Sequence, residues 1–157
     1  MRKDLFRRII HGGSVNLTHI NARRIDIIWE EDDLMNMIVQ RLVRNKALVE
    51  TCSLEGKTDQ QIMSVLLPAQ IDSGSRKPVT KVWIMSRICD GNDARPPRNL
   101  IDLLNKTKEA QTRKDSREHR EIDPAVGPLM EASAVKRAFS QLSELASKIR
   151  SLRKLTN

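Results

Sequence analysis

Apolar positions recur at helical spacing along most of the chain. Residues 3–11 (KDLFRRIIH) put Leu5, Phe6, Ile9 and Ile10 on one helical face with Arg7 and Arg8 beside it, and Gly12-Gly13 supplies the stop. Over 24–29 the period changes to two. Ile25, Ile27 and Trp29 alternate with Arg24, Asp26 and Ile28, which predicts a short strand. The carboxylates Glu30, Glu31, Asp32 and Asp33 then favour a helix start through capping and the helix dipole. The stripe of that helix is Leu34, Ile38 and Leu42, with Met35, Val39 and Val43 beside it and Arg41 and Arg44 near its end.

Thr58 and Gln61 have the spacing of a capping box, opening a short helix through Ile62, Val65 and Leu66 that Pro68 closes. Residues 69–78 (AQIDSGSRKP) read as a polar connection. Over 79–90 the stripe is Val82, Met85 and Cys89, with Trp83 and Ile84 nearby and Gly91 as a stop. After Pro96-Pro97, Leu100, Ile101, Leu103 and Leu104 drive a helix that turns polar beyond Ala110. Residues 112–121 (TRKDSREHRE) are charged on every face and read as solvated. The last helix starts near Ser133, and its stripe of Val135, Phe139, Leu142, Ala146, Ile149 and Leu152 is long enough to need a partner surface. Trp29 and Trp83 lie on apolar faces and are expected in the core.

These elements predict a mainly α fold, a helical bundle with one short N-terminal strand. The strand has no second strand to pair with, so it calls for a partner molecule or a larger body. The expected division is a helix plus strand over 1–31, a helical domain over 32–122 and a helical tail over 123–157.

Composition narrows the function classes. The chain has 157 residues, 39% hydrophobic and 31% charged, which suits one globular core with or without an appendage. No run approaches the roughly 20 apolar residues of a membrane span, so no membrane partner is expected. Met1-Arg2-Lys3-Asp4 lacks the apolar stretch of a signal peptide, which points to a cytoplasmic protein. Cys52 and Cys89 are far apart and have no Cys or His at metal-ligand spacing, against zinc, redox and disulfide roles. Aromatics are 3% with no Tyr, which disfavours base-stacking platforms. His11, His19 and His119 are scattered, and no Ser/His/Asp or Cys/His grouping has a local signature. Neither a catalytic residue nor a metal ligand is therefore assigned. The acidic run at 30–33 is explained by the helix start with fewer assumptions than a metal site needs.

The sharpest local signal is Asp90-Gly91-Asn92-Asp93-Ala94-Arg95-Pro96-Pro97-Arg98-Asn99, a turn followed by two arginines around a helix start. A forked guanidinium there suits phosphate oxygens, and the first N–H groups of a helix attract anions. The plainer reading pairs Arg95 and Arg98 with Asp90, Asp93 or Asp102 at the surface.

The stretch RPPRNLIDLLN resembles the lid-domain sensor segment of AAA+ and STAND-type P-loop ATPases. Most of the chain is similar to the C-terminal part of a group of bacterial P-loop ATPases. The resemblance runs through DLFRRI, then Trp29, Asp32, Asp33, Arg41 and Leu42, then PLMEASAVKRAFSQLSE. It implies a helical lid attached to the remnant of an α/β ATPase core, with Arg95 or Arg98 as the nucleotide-sensing arginine. One departure matters for activity: G-x-x-x-x-G-K-[ST] is absent, so the phosphate cradle and the magnesium-binding hydroxyl are missing. By this reading the chain is not catalytically competent alone. ATP and Mg²⁺ would be engaged only with a Walker-containing core as partner.

The alternative is a stand-alone basic helical module that binds DNA or RNA. The net charge of +8 attracts phosphate backbones, and Lys106, Lys108, Arg113, Lys114 and Arg117 are the candidate contacts. Acidic residues are interspersed, however, so that residues 106–157 carry twelve cations against seven carboxylates. That mixture suits a solvated helix surface better than a groove-binding face. The helices at 58–67 and 79–90 are joined by too long a connection for a helix-turn-helix. Self-association through the long stripe of the last helix is a third possibility.

Overall fold

The computed structural model describes residues 28–90, 94–121, 123–124 and 126–155, and helices dominate them. In chain order these are α1 (Glu31–Val43), α2 (Lys46–Thr51), α3 (Asp59–Leu66), α4 (Thr80–Ile88), α5 (Pro97–Glu118) and α6 (Ala132–Leu155). The helix expected over 3–11 and the strand residues 24–27 lie outside the described residues. Ile28 and Trp29 are irregular chain, and Trp29 is 38% exposed rather than in the core.

Local chemistry explains the helix starts. The Glu30 N–H donates to the Asp33 carboxylate at 3.1 Å, so the acidic run does open α1. Asn45 caps α2 by accepting from the Leu48 N–H at 3.3 Å. At α3 the Thr58 N–H donates to Gln61 Oε1 at 2.8 Å, and the Gln61 N–H donates back to Thr58 Oγ1 at 3.4 Å. Pro97 occupies the first position of α5, where its missing N–H removes no helical bond.

The main core gathers Leu34 and Ile38 of α1, Leu66 of α3, Trp83 and Ile84 of α4, Leu100 and Leu103 of α5, and Val135 and Ala138 of α6. Val39, Cys52, Leu54 and Ile62 form a smaller cluster beside it. In α4 the expected stripe is corrected. Trp83, Ile84, Met85 and Ile88 are buried, whereas Val82 is 50% exposed. The Trp83 ring meets Phe139 edge-on at 5.7 Å, and its Nε1 donates to Asp72 at 3.0 Å. Asp72 also pairs with Lys136 of α6 at 2.6 Å. The connection over 69–78 is therefore a strut, further held by a Gln70–Val79 antiparallel bridge and by the Thr80 hydroxyl donating to the Pro68 carbonyl.

The most extensive helix pair is α5 with α6. Of the stretch 112–121 expected to be solvated, Thr112, Arg113, Ser116, Arg117, Glu118, His119 and Glu121 are exposed, while Lys114, Asp115 and Arg120 are half-buried. Gln111 is buried, and its Oε1 accepts from the Glu131 N–H at 2.9 Å. The Glu131 carboxylate takes Lys114 at 2.5 Å and Arg120 at 2.6 Å, while Asp115 receives Gln111 at 2.8 Å. Charge alone does not show which face of a polar helix meets another element. From Ser143 to Ile149 every residue of α6 is exposed, so the expected apolar stripe packs only in its first half.

Two outcomes follow from this packing. Leu103 is 1% exposed, and Leu103→Ala should cost about 2–5 kcal/mol in urea unfolding. The Glu131 carboxyl is held below its ordinary value of 4.5, first by the hydrogen bond from Lys114, against a smaller upward push from burial. A depressed carboxyl stabilises the fold above its unfolded value, and that contribution is lost as pH falls through the folded one. Glu131→Gln should therefore lower the urea midpoint at neutral pH and narrow the gap to wild type in acid. Parallel pH curves for the two proteins would refute the linkage.

Candidate functional site

The turn leading into α5 closes on itself. The Asp90 N–H donates to the Ala94 carbonyl at 2.8 Å, and the Ala94 N–H donates to Asp90 Oδ1 at 3.0 Å. Asn99, in the first turn of α5, reaches back with its Nδ2 to the Ile88 carbonyl at 2.8 Å, satisfying one of the open carbonyls at the end of α4. The end of α4 and the start of α5 are thereby tied together. No sequence argument singled out Asn99. Its position just inside a helix that begins with Pro-Pro is the only hint the chain offers.

Arg95 enters this frame immediately before the Pro96 cap of α5. Its side chain is 27% exposed, and Nη2 lies 3.4 Å from Glu31 Oε1 in the first turn of α1. Its Nε is buried and makes no hydrogen bond. Leaving a buried donor unpaired costs roughly 1–3 kcal/mol. Arg98 differs sharply: its side chain is 88% exposed and faces Asp102 one turn on at 3.6 Å. Such exposed pairs contribute little. The two arginines of the motif are thus sorted by burial, one held in the fold and one on the surface.

The acidic run is distributed among separate partners. Glu31 faces Arg95, Asp32 takes Lys81 at 2.5 Å, and Asp33 accepts from the backbone of Glu30. Among the described residues no three His, Cys, Asp or Glu side chains gather as a metal site would require. Cys52 is a buried thiol of the smaller cluster, and burial pushes its pKa up more than Lys57 pulls it down. His11 and His19 lie outside the described residues. His119 ends α5 with φ of 50°, a left-handed cap conformation that histidine tolerates better than most side chains.

The nucleic-acid candidates divide as well. Lys108, Arg113 and Arg117 are exposed, and the Arg117 Nε donates to the Arg113 carbonyl at 3.3 Å. Lys106 is paired with Glu109 at 2.8 Å, and Lys114 belongs to the Glu131 cluster. The five cations therefore do not form one uniform face. Among the described residues no helix is long and apolar enough to cross a membrane.

Neither family models, curated protein sequences nor solved structures give a match to this chain.

The sorting of the cations predicts different behaviour on substitution. Lys114→Ala should lower the thermal midpoint, because it takes the Lys114 ammonium from Glu131 and leaves Arg120 as that carboxylate's remaining cation. Lys108→Ala and Arg113→Ala should leave the midpoint unchanged. Calorimetry that ranks the three substitutions equally would contradict this division.

Proposed function

We propose that this chain provides the helical lid and sensor segment of a P-loop ATPase, working in the cytoplasm, with Arg95 as the nucleotide-sensing arginine. The observation that supports the reading is the Arg95 side chain, anchored before α5 by its ion pair with Glu31 and 27% exposed, so that part of its guanidinium is open to solvent. A guanidinium held by one 3.4 Å ion pair keeps donor capacity for an incoming phosphate, and an anion arriving there would also meet the positive end of the α5 dipole. Arg98, solvated and paired along its own helix, is the weaker candidate. The chemistry assigned to Arg95 is electrostatic: it would stabilise charge on a terminal phosphoryl group presented by a Walker-containing core, which also supplies the magnesium site. The sequence resemblance of RPPRNLIDLLN to sensor segments points the same way. The basic-module alternative is less favoured, since two of its five cations are engaged in ion pairs within the fold.

The test begins with the DNA upstream of the Met1 codon, which should contain a frame encoding a Walker A loop. In the protein joined to that loop, Arg95→Ala should reduce ATP turnover by roughly 10³-fold, the scale of a lost phosphate-contacting arginine. Arg98→Ala should leave turnover within about twofold, as expected of a weak surface pair. Absence of such a frame, or equal turnover in both variants, would overturn the reading.

A further inference from the structure

A groove of about 780 Å³ runs along α1, α3 and the start of α4. Met35, Met63 and Val79 give it an apolar lining, and Val79 is 52% exposed. The carboxylates Asp32, Asp33 and Asp59 also line it, against the single ammonium of Lys81, which is already tied to Asp32. An acidic, apolar groove is anomalous on a chain whose net charge is +8. It suits a helix with an apolar face and basic flanks.

The same chain carries such a helix. Val135 and Ala138 of α6 are buried in the core, but beyond Leu142 the helix leaves it, with Leu145 48% and Ile149 52% exposed. These two lie one turn apart on one face, the spacing of anchors in helix-in-groove recognition. The sequence over 143–155 contains Lys148, Arg150, Arg153 and Lys154 against Glu144. Two such segments side by side would repel each other, whereas the groove's carboxylates attract one.

We propose that the exposed end of α6 from one copy docks in the α1–α3 groove of a second copy. The contact is heterologous, head to tail, so in a pair one copy retains an unused groove and the other an unused helix end. It does not require nucleotide.

Sedimentation of the full chain should show the mean mass rising with concentration, and the association should weaken on the order of tenfold between low and moderate salt as the rim charges are screened. Asp32→Lys with Asp59→Lys should give a monomer, and so should Leu145→Glu with Ile149→Glu. All four positions are exposed, so the helical circular dichroism should not change. If the double rim variant loses helix, Gln60→Lys adds rim charge at another exposed position. The deciding experiment mixes the two monomeric variants. One has an intact helix end and the other an intact groove, so the mixture should form a one-to-one dimer and nothing larger. A wild-type chain that stays monomeric up to about 500 μM, a weak limit for specific association, would overturn the proposal. So would a mixture that stays monomeric, or a groove variant that associates like wild type, the result expected of pairing between helix ends.

Discussion

The reversal of the chain between α5 and α6 is the constraint on which the helical body depends. The segment from His119 to Glu131 must turn back a long polar helix so that the next one places Val135 and Ala138 in the core. It does so around one carboxylate. Glu131 receives Lys114 and Arg120, and its backbone N–H is taken by the buried side chain of Gln111. Arg120 also donates to the Pro128 carbonyl at 3.3 Å. Half-buried charges of this kind are tolerated because each finds several partners, and removing one leaves the others poorly satisfied. This clamp helps to set the register of the apolar contacts between early α5 and the first turns of α6.

A second strut completes the frame. Asp72 joins the α3–α4 connection to the indole of Trp83 and to Lys136, and its carboxyl is drawn below the ordinary range first by the Lys136 bond and then by the Trp83 bond. Arg87 lies 4.0 Å from the same ring, on a side chain already edge-packed by Phe139. The frame therefore presents distinct surfaces. The α4–α5 junction carries the half-buried Arg95, the α1–α3 side carries the acidic groove, and α6 carries Leu145, Lys148 and Ile149 outside the core.

Much of the helical layout was legible from local pattern. The Thr58–Gln61 box, the acidic start of α1 and the Pro-Pro entry to α5 are short-range signals, each decided by atoms within four residues. What could not be read depends on distant partners. Trp83 is in the core as expected, but the exposure of Val82, which the stripe places inside, rests on Phe139 and Asp72 holding the indole side of α4 inward. The half-burial of Lys114 and Arg120 was not legible because their partner Glu131 lies at the far end of the loop after α5. The same limit applies at the candidate site. The spacing of Arg95 and Arg98 gave two equivalent guanidinium groups, which burial and the approach of α1 through Glu31 distinguish.

The end of α3 bears on how the fold can be reached during synthesis. Its Val65 and Leu66 carbonyls accept from the N–H groups of Leu129 and Met130, at 2.8 and 3.0 Å. A helix end of this kind lacks protein partners until the strand of chain that satisfies it has left the ribosome. The first three helices can coil early, but α3 has its terminal bonds only after Met130 has emerged. The charged loop arrives at the same moment as its own anchor. Docking of α6 is then the step that closes the core, and a force-sensing arrest peptide placed after α6 would register it as a pull.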